Sequence, residues 1–299
     1  MTACLLLLAA VAADPLGPGN HERKLTVDGR ERSYLIHIPA KYDAAQKTPV
    51  VLVLHGAGMN AAMMVGFSGM NKKSDEAGFI AAYPNGTGIG PLCTFNCGGV
   101  KGKLAEFGAD DVKYVGALLD DLQTVTNVDA QRVFATGMSN GGMMSYRLAA
   151  EMSDRIAAIA PVGGTLCQDE CNPRRPVPVL HFHGTEDTIV PFDGPRDRAA
   201  KFVTFKSVDD SLAAWRKVNG CPAEPTITEF ADKEDDGTQV IRKCYGPGKQ
   251  GAEVVLIEIT GGGHTWPGRS PPVSFIGKST RDIAANDLIW EFFEKHALR

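Results

Sequence analysis

Apolar residues along this chain follow two rhythms. The first is a set of short unbroken runs: Pro49-Val50-Val51-Leu52-Val53-Leu54, Phe79-Ile80-Ala81-Ala82-Tyr83, Arg132-Val133-Phe134-Ala135-Thr136, and the stretches 156–162, 177–183 and 254–259. Runs of this length, apolar almost throughout, suit strands covered on both faces. The second rhythm has apolar positions three and four apart. Val112, Val115, Leu118, Leu119, Leu122 and Val125 share one helical face, behind Asp110 or Asp111 as the cap. Val208, Leu212, Trp215 and Val218 share another, opened by a capping box of Ser207 and Asp210 and closed by Gly220. A final helix is expected over 283–293, and an opening hairpin over 22–27 and 32–38 around Asp28-Gly29. Strands alternating with helices predict an α/β fold: a mostly parallel sheet with helices on both faces. The Gly-rich stretch 87–108 and the polar stretch 221–251 interrupt the alternation. The acidic run 232–236 within the second is expected to be a solvated turn. No internal repeat or linker divides the chain, so a single domain is expected.

With 299 residues, 43% of them hydrophobic, the chain can bury one large core. A net charge of −4 without a basic stripe argues against nucleic acid as a partner. No apolar run approaches the roughly 20 residues that cross a bilayer. The short apolar stretch 5–13, with Ala10, Ala12 and Ala13 as cleavage points, predicts a signal peptide over 1–13 and a catalytic domain over 14–299. The basic residues that normally precede such a stretch are missing. The expected location is secreted or periplasmic. Cys4 would leave with the signal, so Cys93, Cys97, Cys167, Cys171, Cys221 and Cys244 remain, an even set suited to an oxidising compartment. Local bridges 93–97, 167–171 and 221–244 are expected. The two C-x₃-C pairs also have zinc-ligand spacing, but no histidine lies near either, and no metal is expected. The assembly expected is a monomer or homodimer.

Chemistry concentrates at Gly137-Met138-Ser139-Asn140-Gly141, which follows an apolar run and leads into a helical one. A serine on a tight strand-to-helix turn needs small residues two places before and after. Its hydroxyl is then pushed clear of the sheet edge, and the next N–H is free to bind an oxyanion. Serine needs a base, and the base needs a partner that fixes its tautomer. Of the seven histidines, His264 follows Gly261-Gly262-Gly263 directly after the last long run, where a loop can carry it over the serine. His55 and His183 close runs just before glycine and are expected to brace those turns; His181 is expected in the core. Asp187, four residues past a strand end, is the candidate acid, with Glu186 and Asp193 as competitors. Asn140 and Ala57, in His55-Gly56-Ala57-Gly58, are expected to donate the oxyanion N–H groups. Trp266, Phe95, Met59 and Met138 are the candidate substrate contacts, although core packing explains most methionines here better, which leaves Trp266 and Phe95 as the stronger candidates.

Leu54-His55-Gly56-Ala57-Gly58, 137–143, 183–191 and Gly261-Gly262-Gly263-His264-Thr265-Trp266-Pro267-Gly268 together resemble the polyhydroxybutyrate-depolymerase-like and feruloyl esterases. These are secreted serine esterases related to carbohydrate esterases. The resemblance covers about 23–293 in the family's order. It implies an α/β-hydrolase fold, a triad of Ser139, Asp187 and His264, and no cofactor. It implies ester substrates, with feruloyl or related hydroxycinnamoyl esters of plant polysaccharide leading, and hydroxyalkanoate esters and acetylated sugars second. A peptidase of the same fold and an inactive binding protein are weaker alternatives. One departure concerns the cleft: many relatives carry a tryptophan and adjacent cysteines where this chain has Thr94-Phe95-Asn96-Cys97-Gly98-Gly99.

Overall fold

A computed structural model of the chain describes residues 14–99, 109–195 and 204–298. The expected signal peptide over 1–13 lies outside them. The chain opens with a hairpin, β1 (Gly19–Val27) and β2 (Arg30–Ile38), whose turn residues Asp28 and Gly29 both have positive φ, 50° and 74°. This mirror-image turn matches the twist of the flanking strands. Then come β3 (Thr48–Leu54), α1 (Ala61–Ser68), α2 (Met70–Ala77), β4 (Ile80–Pro84) and the small hairpin β5 (Thr87–Ile89) and β6 (Leu92–Thr94). α3 (Asp111–Val125), β7 (Val128–Met138), α4 (Asn140–Glu151), β8 (Ala158–Val162) and β9 (Val179–Gly184) build the centre. α5 (Val208–Asn219), β10 (Thr226–Glu229), β11 (Gln239–Tyr245), β12 (Val254–Thr260) and α6 (Ala285–Phe293) complete it.

Ten strands form one sheet in the order β1-β2-β4-β3-β7-β8-β9-β12-β11-β10. The six from β4 to β12 run parallel, and an antiparallel pair flanks each side. Strand alternation sends neighbouring residues to opposite faces. Val50, Leu52 and Leu54 of β3 join a core with Leu118, Tyr146 and Trp215 of α3, α4 and α5, while Val51 and Val53 join one with Met64, Met70 and Ile289 of α1, α2 and α6. Helices therefore cover both faces, as the alternation predicts.

The caps follow the sequence. The Asp110 carboxylate accepts the Lys113 N–H at 2.9 Å, and Ser207 Oγ accepts the Asp210 N–H at 3.0 Å. Asp111, the other candidate cap, is instead buried against Arg32 at 2.6 Å. The guanidinium lies over the Tyr114 ring, so the ion pair is enclosed rather than solvated. The stretches 87–108 and 221–251 are less irregular than expected. They hold the short hairpin β5–β6 and the antiparallel edge β10–β11, with 100–108 outside the described residues.

The cysteines that the structure brings together are not those of the expected local pairs. Cys221 packs with the core on one face of the sheet and Cys244 with the core on the other, so the 221–244 bridge would have to pass through it. The Cys97 thiol lies against Cys167, Sγ to Sγ 3.4 Å, in a small buried cluster with Met143, Val190 and Phe205. None of the six described cysteines is bridged in this structure.

Candidate active site

Ser139 stands between β7 and α4 with φ 56° and ψ −119°, a conformation that side chains rarely adopt. Holding it costs on the order of 1–3 kcal/mol, offset by the packing around it. Its N–H bonds Val162 O at 2.8 Å, tying the turn to the end of β8. A β-carbon on Gly137 would lie 2.6 Å from the Gly141 carbonyl carbon, and one on Gly141 2.3 Å from Leu54 O. The two glycines are thus demanded by the approach of β7 and α4 to each other and to β3. Ser139 itself stays partly exposed.

The acid and base loops are stitched together before their side chains meet. Thr185 N–H bonds Ile259 O, Glu186 N–H bonds Gly262 O, and Gly261 N–H bonds Thr185 Oγ1, all within 3.0 Å. His264 N–H bonds Ile276 O at 2.6 Å, which fixes the outer side of its loop. Asp187 Oδ1 accepts the N–H groups of Ile189 and Val190 at 2.9 and 2.8 Å. Its Oδ2 accepts from His264 Nδ1 at 2.6 Å, with both residues buried. A carboxylate can only accept, so Nδ1 carries a proton, and in the neutral imidazole Nε2 then holds the lone pair that a general base needs. The His264 ring lies over Gly163, where a β-carbon would be 3.2 Å from Nδ1. Gly163 follows Val162, which holds the Ser139 N–H, so the structure brings Ser139, His264 and Asp187 to one corner. Glu186 and Asp193 are exposed and bond neither histidine nor serine.

On the opposite side, neither Ala57 N–H nor Asn140 N–H is hydrogen-bonded within the protein among the described residues. The Gly56 α-carbon packs against the elbow, a β-carbon there lying 3.6 Å from Ser139 Cβ. The Asn140 side chain clamps the cleft loop: Oδ1 accepts the Phe95 N–H at 2.7 Å and the Thr94 hydroxyl at 3.1 Å, while Nδ2 donates to Phe95 O at 3.0 Å. Asp111 extends the clamp by accepting the Asn96 N–H at 2.7 Å, and Arg147 donates to Asn96 O at 2.6 Å.

The bracing histidines behave as their positions suggest. His55 Nε2 accepts the Gly86 N–H at 2.9 Å, so Nδ1 donates to Gly56 O at 2.8 Å. Burial pushes its imidazole down to about 4, so it stays neutral near pH 7. His183 lies 2.8 Å from Val190 O, and His181 is enclosed in the core.

The expected substrate contacts fare differently. Trp266 is 1% exposed, its indole N–H bonded to Asn286 Oδ1 at 2.9 Å and its ring edge-on to Phe67. It packs the core under α6. Phe95 is fully buried against the His55 ring, and Met138 is buried beside Gly163. Of the four, only Met59 is partly exposed, in a bridge with Cys93. Sequence reasoning missed three exposed apolar residues on segments tied to the site. Ile189 follows the acid on its loop, and Phe275, 74% exposed, belongs to the segment that holds the His264 N–H. Leu92, on the hairpin tied to Met59, is exposed as well. The signal for Phe275 was available as an aromatic in the short loop Pro271-Pro272-Val273-Ser274-Phe275, which no strand or helix pattern claims.

Comparison with known proteins gives the family. The phospholipase/carboxylesterase family model matches residues 38–210. NocK of Nocardia uniformis subsp. tsuyamanensis, which carries an esterase name, is 32% identical over 90% of this chain and 81% of its own length. Feruloyl esterase B of Piromyces equi is 28% identical over 78% of this chain, and the aligned region spans only 42% of that protein. The structure of acetyl xylan esterase from Aspergillus awamori superimposes with a TM-score of 0.62 at 16% identity, over 92% of this chain and 99% of that one. With its glycine-framed serine, buried imidazole–carboxylate pair and ten-stranded sheet, the chain belongs to the phospholipase/carboxylesterase family and is an ester hydrolase of α/β-hydrolase fold.

Proposed function

We propose that the chain is a secreted serine carboxylic-ester hydrolase that acts through an acyl-enzyme on hydroxycinnamoyl esters of plant polysaccharide. The observation that carries the catalytic part is the 2.6 Å bond from His264 Nδ1 to Asp187 Oδ2 beside the strained Ser139. Ser139 Oγ attacks the ester carbonyl while His264 Nε2 takes its proton. The Ala57 and Asn140 N–H groups receive the oxyanion, and the intermediate collapses as His264 returns the proton to the departing alcohol. Water then repeats the sequence on the acyl-enzyme. Asp187 holds the imidazole and stabilises it while it is charged.

The substrate class leans on the feruloyl esterase and acetylxylan esterase names among the relatives and on the exposed apolar residues Ile189 and Phe275, on the acid loop and on the segment that holds the base loop. Exposed apolar surface of that kind suits an aryl acyl group better than an acetyl group. Comparing methyl ferulate, p-nitrophenyl acetate to octanoate, and hydroxybutyrate oligomers tests this, and a preference for acetate would move the assignment to acetylated sugars. A phosphonate should label Ser139 alone, and labelling elsewhere would end the serine mechanism.

Export brings an oxidising compartment. The 3.4 Å approach of Cys97 and Cys167 supports one bridge there, formed as the two thiols lose two protons and two electrons to a disulfide-bonded oxidant. Peptide mapping of exported, unreduced protein should find Cys97 joined to Cys167. Free thiols at both would exclude the bridge.

A further inference from the structure

His181 and His183 of β9 take no part in proton transfer at Ser139, yet they are 0% and 1% exposed and hydrogen-bonded end to end. Residues two apart on a strand share a face, and this one meets α4, the helix that Ser139 begins. The Tyr146 hydroxyl of α4 lies 2.8 Å from His181 Nδ1. His181 Nε2 lies 3.0 Å from His183 Nδ1, with the two rings parallel to within 5°. His183 Nε2 ends the chain 2.8 Å from Val190 O and 3.5 Å from Asp187 Oδ2.

The direction of every bond follows from its last acceptor. A backbone carbonyl cannot donate, so His183 Nε2 carries the proton and Nδ1 offers a lone pair. His181 must then donate from Nε2 and accept at Nδ1, which the Tyr146 O–H satisfies. Burial lowers the affinity of both imidazoles for a second proton, so the chain stays neutral. Val190 is the joint. Its C=O accepts from His183, and its N–H donates to Asp187 Oδ1 at 2.8 Å. Displacing His183 therefore displaces the residue that holds the carboxylate, two atoms from the oxygen that receives His264.

We propose that His183 is a positioning residue: acting through Val190, it fixes the Asp187 carboxylate against His264, while His181 and Tyr146 lock its tautomer and tie the acid loop to the nucleophile helix. This rests on the catalytic reading of Ser139, His264 and Asp187 above. Small displacements of a catalytic group cost about 10²-fold in rate, which sets the scale.

The test compares His183→Leu, which has no donor, with His183→Gln, whose amide can still donate to Val190. Steady-state kinetics on p-nitrophenyl acetate are read beside the low-field proton signal of the His264–Asp187 bond. The expected result for His183→Leu is a kcat roughly 30-fold lower at unchanged KM with the signal shifted or lost, and for His183→Gln a kcat within about fivefold with the signal retained. Should His183→Leu not fold, Tyr146→Phe gives the same readouts. It keeps the ring stacked on Trp215 and removes only the hydroxyl. A kcat about threefold lower with a shifted signal is then expected. Loss of thermal stability alone, with kcat and the proton signal as in the unmodified protein, would overturn the positioning role. Activity surviving in Ser139→Ala would instead remove the catalytic reading beneath it, so the two failures are distinct.

Discussion

Beneath Ser139, a β-carbon on Gly141 would lie 2.3 Å from Leu54 O, and one on Gly164 2.2 Å from Ser139 O. At the rim, meaning the loop that carries the acid and the segment that holds the base loop, Phe275 is 74% exposed and Ile189 41% exposed. The floor is backbone against backbone, so it admits few residue types, and a change there is felt at once. The rim is side chain against solvent, where many residue types satisfy the fold. Stability and chemistry are thus concentrated below the serine hydroxyl, and selectivity is left to residues that the fold does not constrain.

The sharpest break of this contrast comes at the serine itself. Ser139→Ala should lower kcat by about 10⁴-fold or more, with His264→Ala and Asp187→Asn close behind, because the three act as a unit. Stability should hardly change, since the side chain is partly exposed and contributes little packing. Thermal melting beside single-turnover kinetics checks both halves. A large loss of stability would mean that the hydroxyl is structural.

Trp266 belongs to the floor despite standing two residues from the base. Trp266→Ala should cost about 3–5 kcal/mol of stability, as other buried aromatic truncations do. It also strands Asn286 Oδ1, which accepts the indole N–H. Urea denaturation should show the loss, with KM for aryl esters unchanged in the fraction that remains folded. A selective rise in that KM would return Trp266 to the substrate.

How far each region could be read in the sequence follows the same division. The six central strands are legible because residues buried on both faces are mostly apolar, and the elbow because close backbones require glycine. Asp187 and His264 are legible because they end in loops after recognisable strands. The edge is not: all four residues of β10 are exposed, so no hydrophobic contrast marks it. Partners far apart in sequence are equally silent. Nothing near Asp111 announces Arg32, and nothing near Cys97 announces Cys167. Sequence proximity suggested bridging Cys221 to Cys244, but an intervening sheet is invisible to spacing. Trp266 and Phe95 misled for a related reason: large aromatics beside a motif pack under it as readily as they line it.

His55 lets the floor be probed by pH. Its imidazole is held at about 4 in the folded chain against an ordinary value of 6.5, with burial as the cause. As pH falls from about 6.5 to about 4 the unfolded chain takes up a proton that the folded one refuses, so stability is lost across that window. The full contribution is on the order of 3 kcal/mol. His181 and His183 act in the same direction, so His55→Gln should reduce the acid slope of stability by about one proton rather than abolish it. Denaturant titrations at several pH values between 4 and 7 measure this slope. An unchanged slope would mean that His55 is already charged in the fold.

The smallest effect is expected on the rim, and it sharpens the contrast most. Phe275 lies on the segment whose Ile276 carbonyl accepts the His264 N–H, and it is exposed rather than packed by the core. Phe275→Ala removes no buried contact, and stability should move by less than about 0.5 kcal/mol, as for other exposed sites. An aryl acyl group that stacks on the ring would lose an aromatic contact worth about 0.5–1.5 kcal/mol, or roughly two- to twelvefold in KM. Acetate is too small to reach it. The expected outcome is therefore a rise in KM for methyl ferulate with p-nitrophenyl acetate unaffected and kcat unchanged for both. Equal changes on the two substrates would show that Phe275 acts through the His264 loop, and would place part of the rim with the floor.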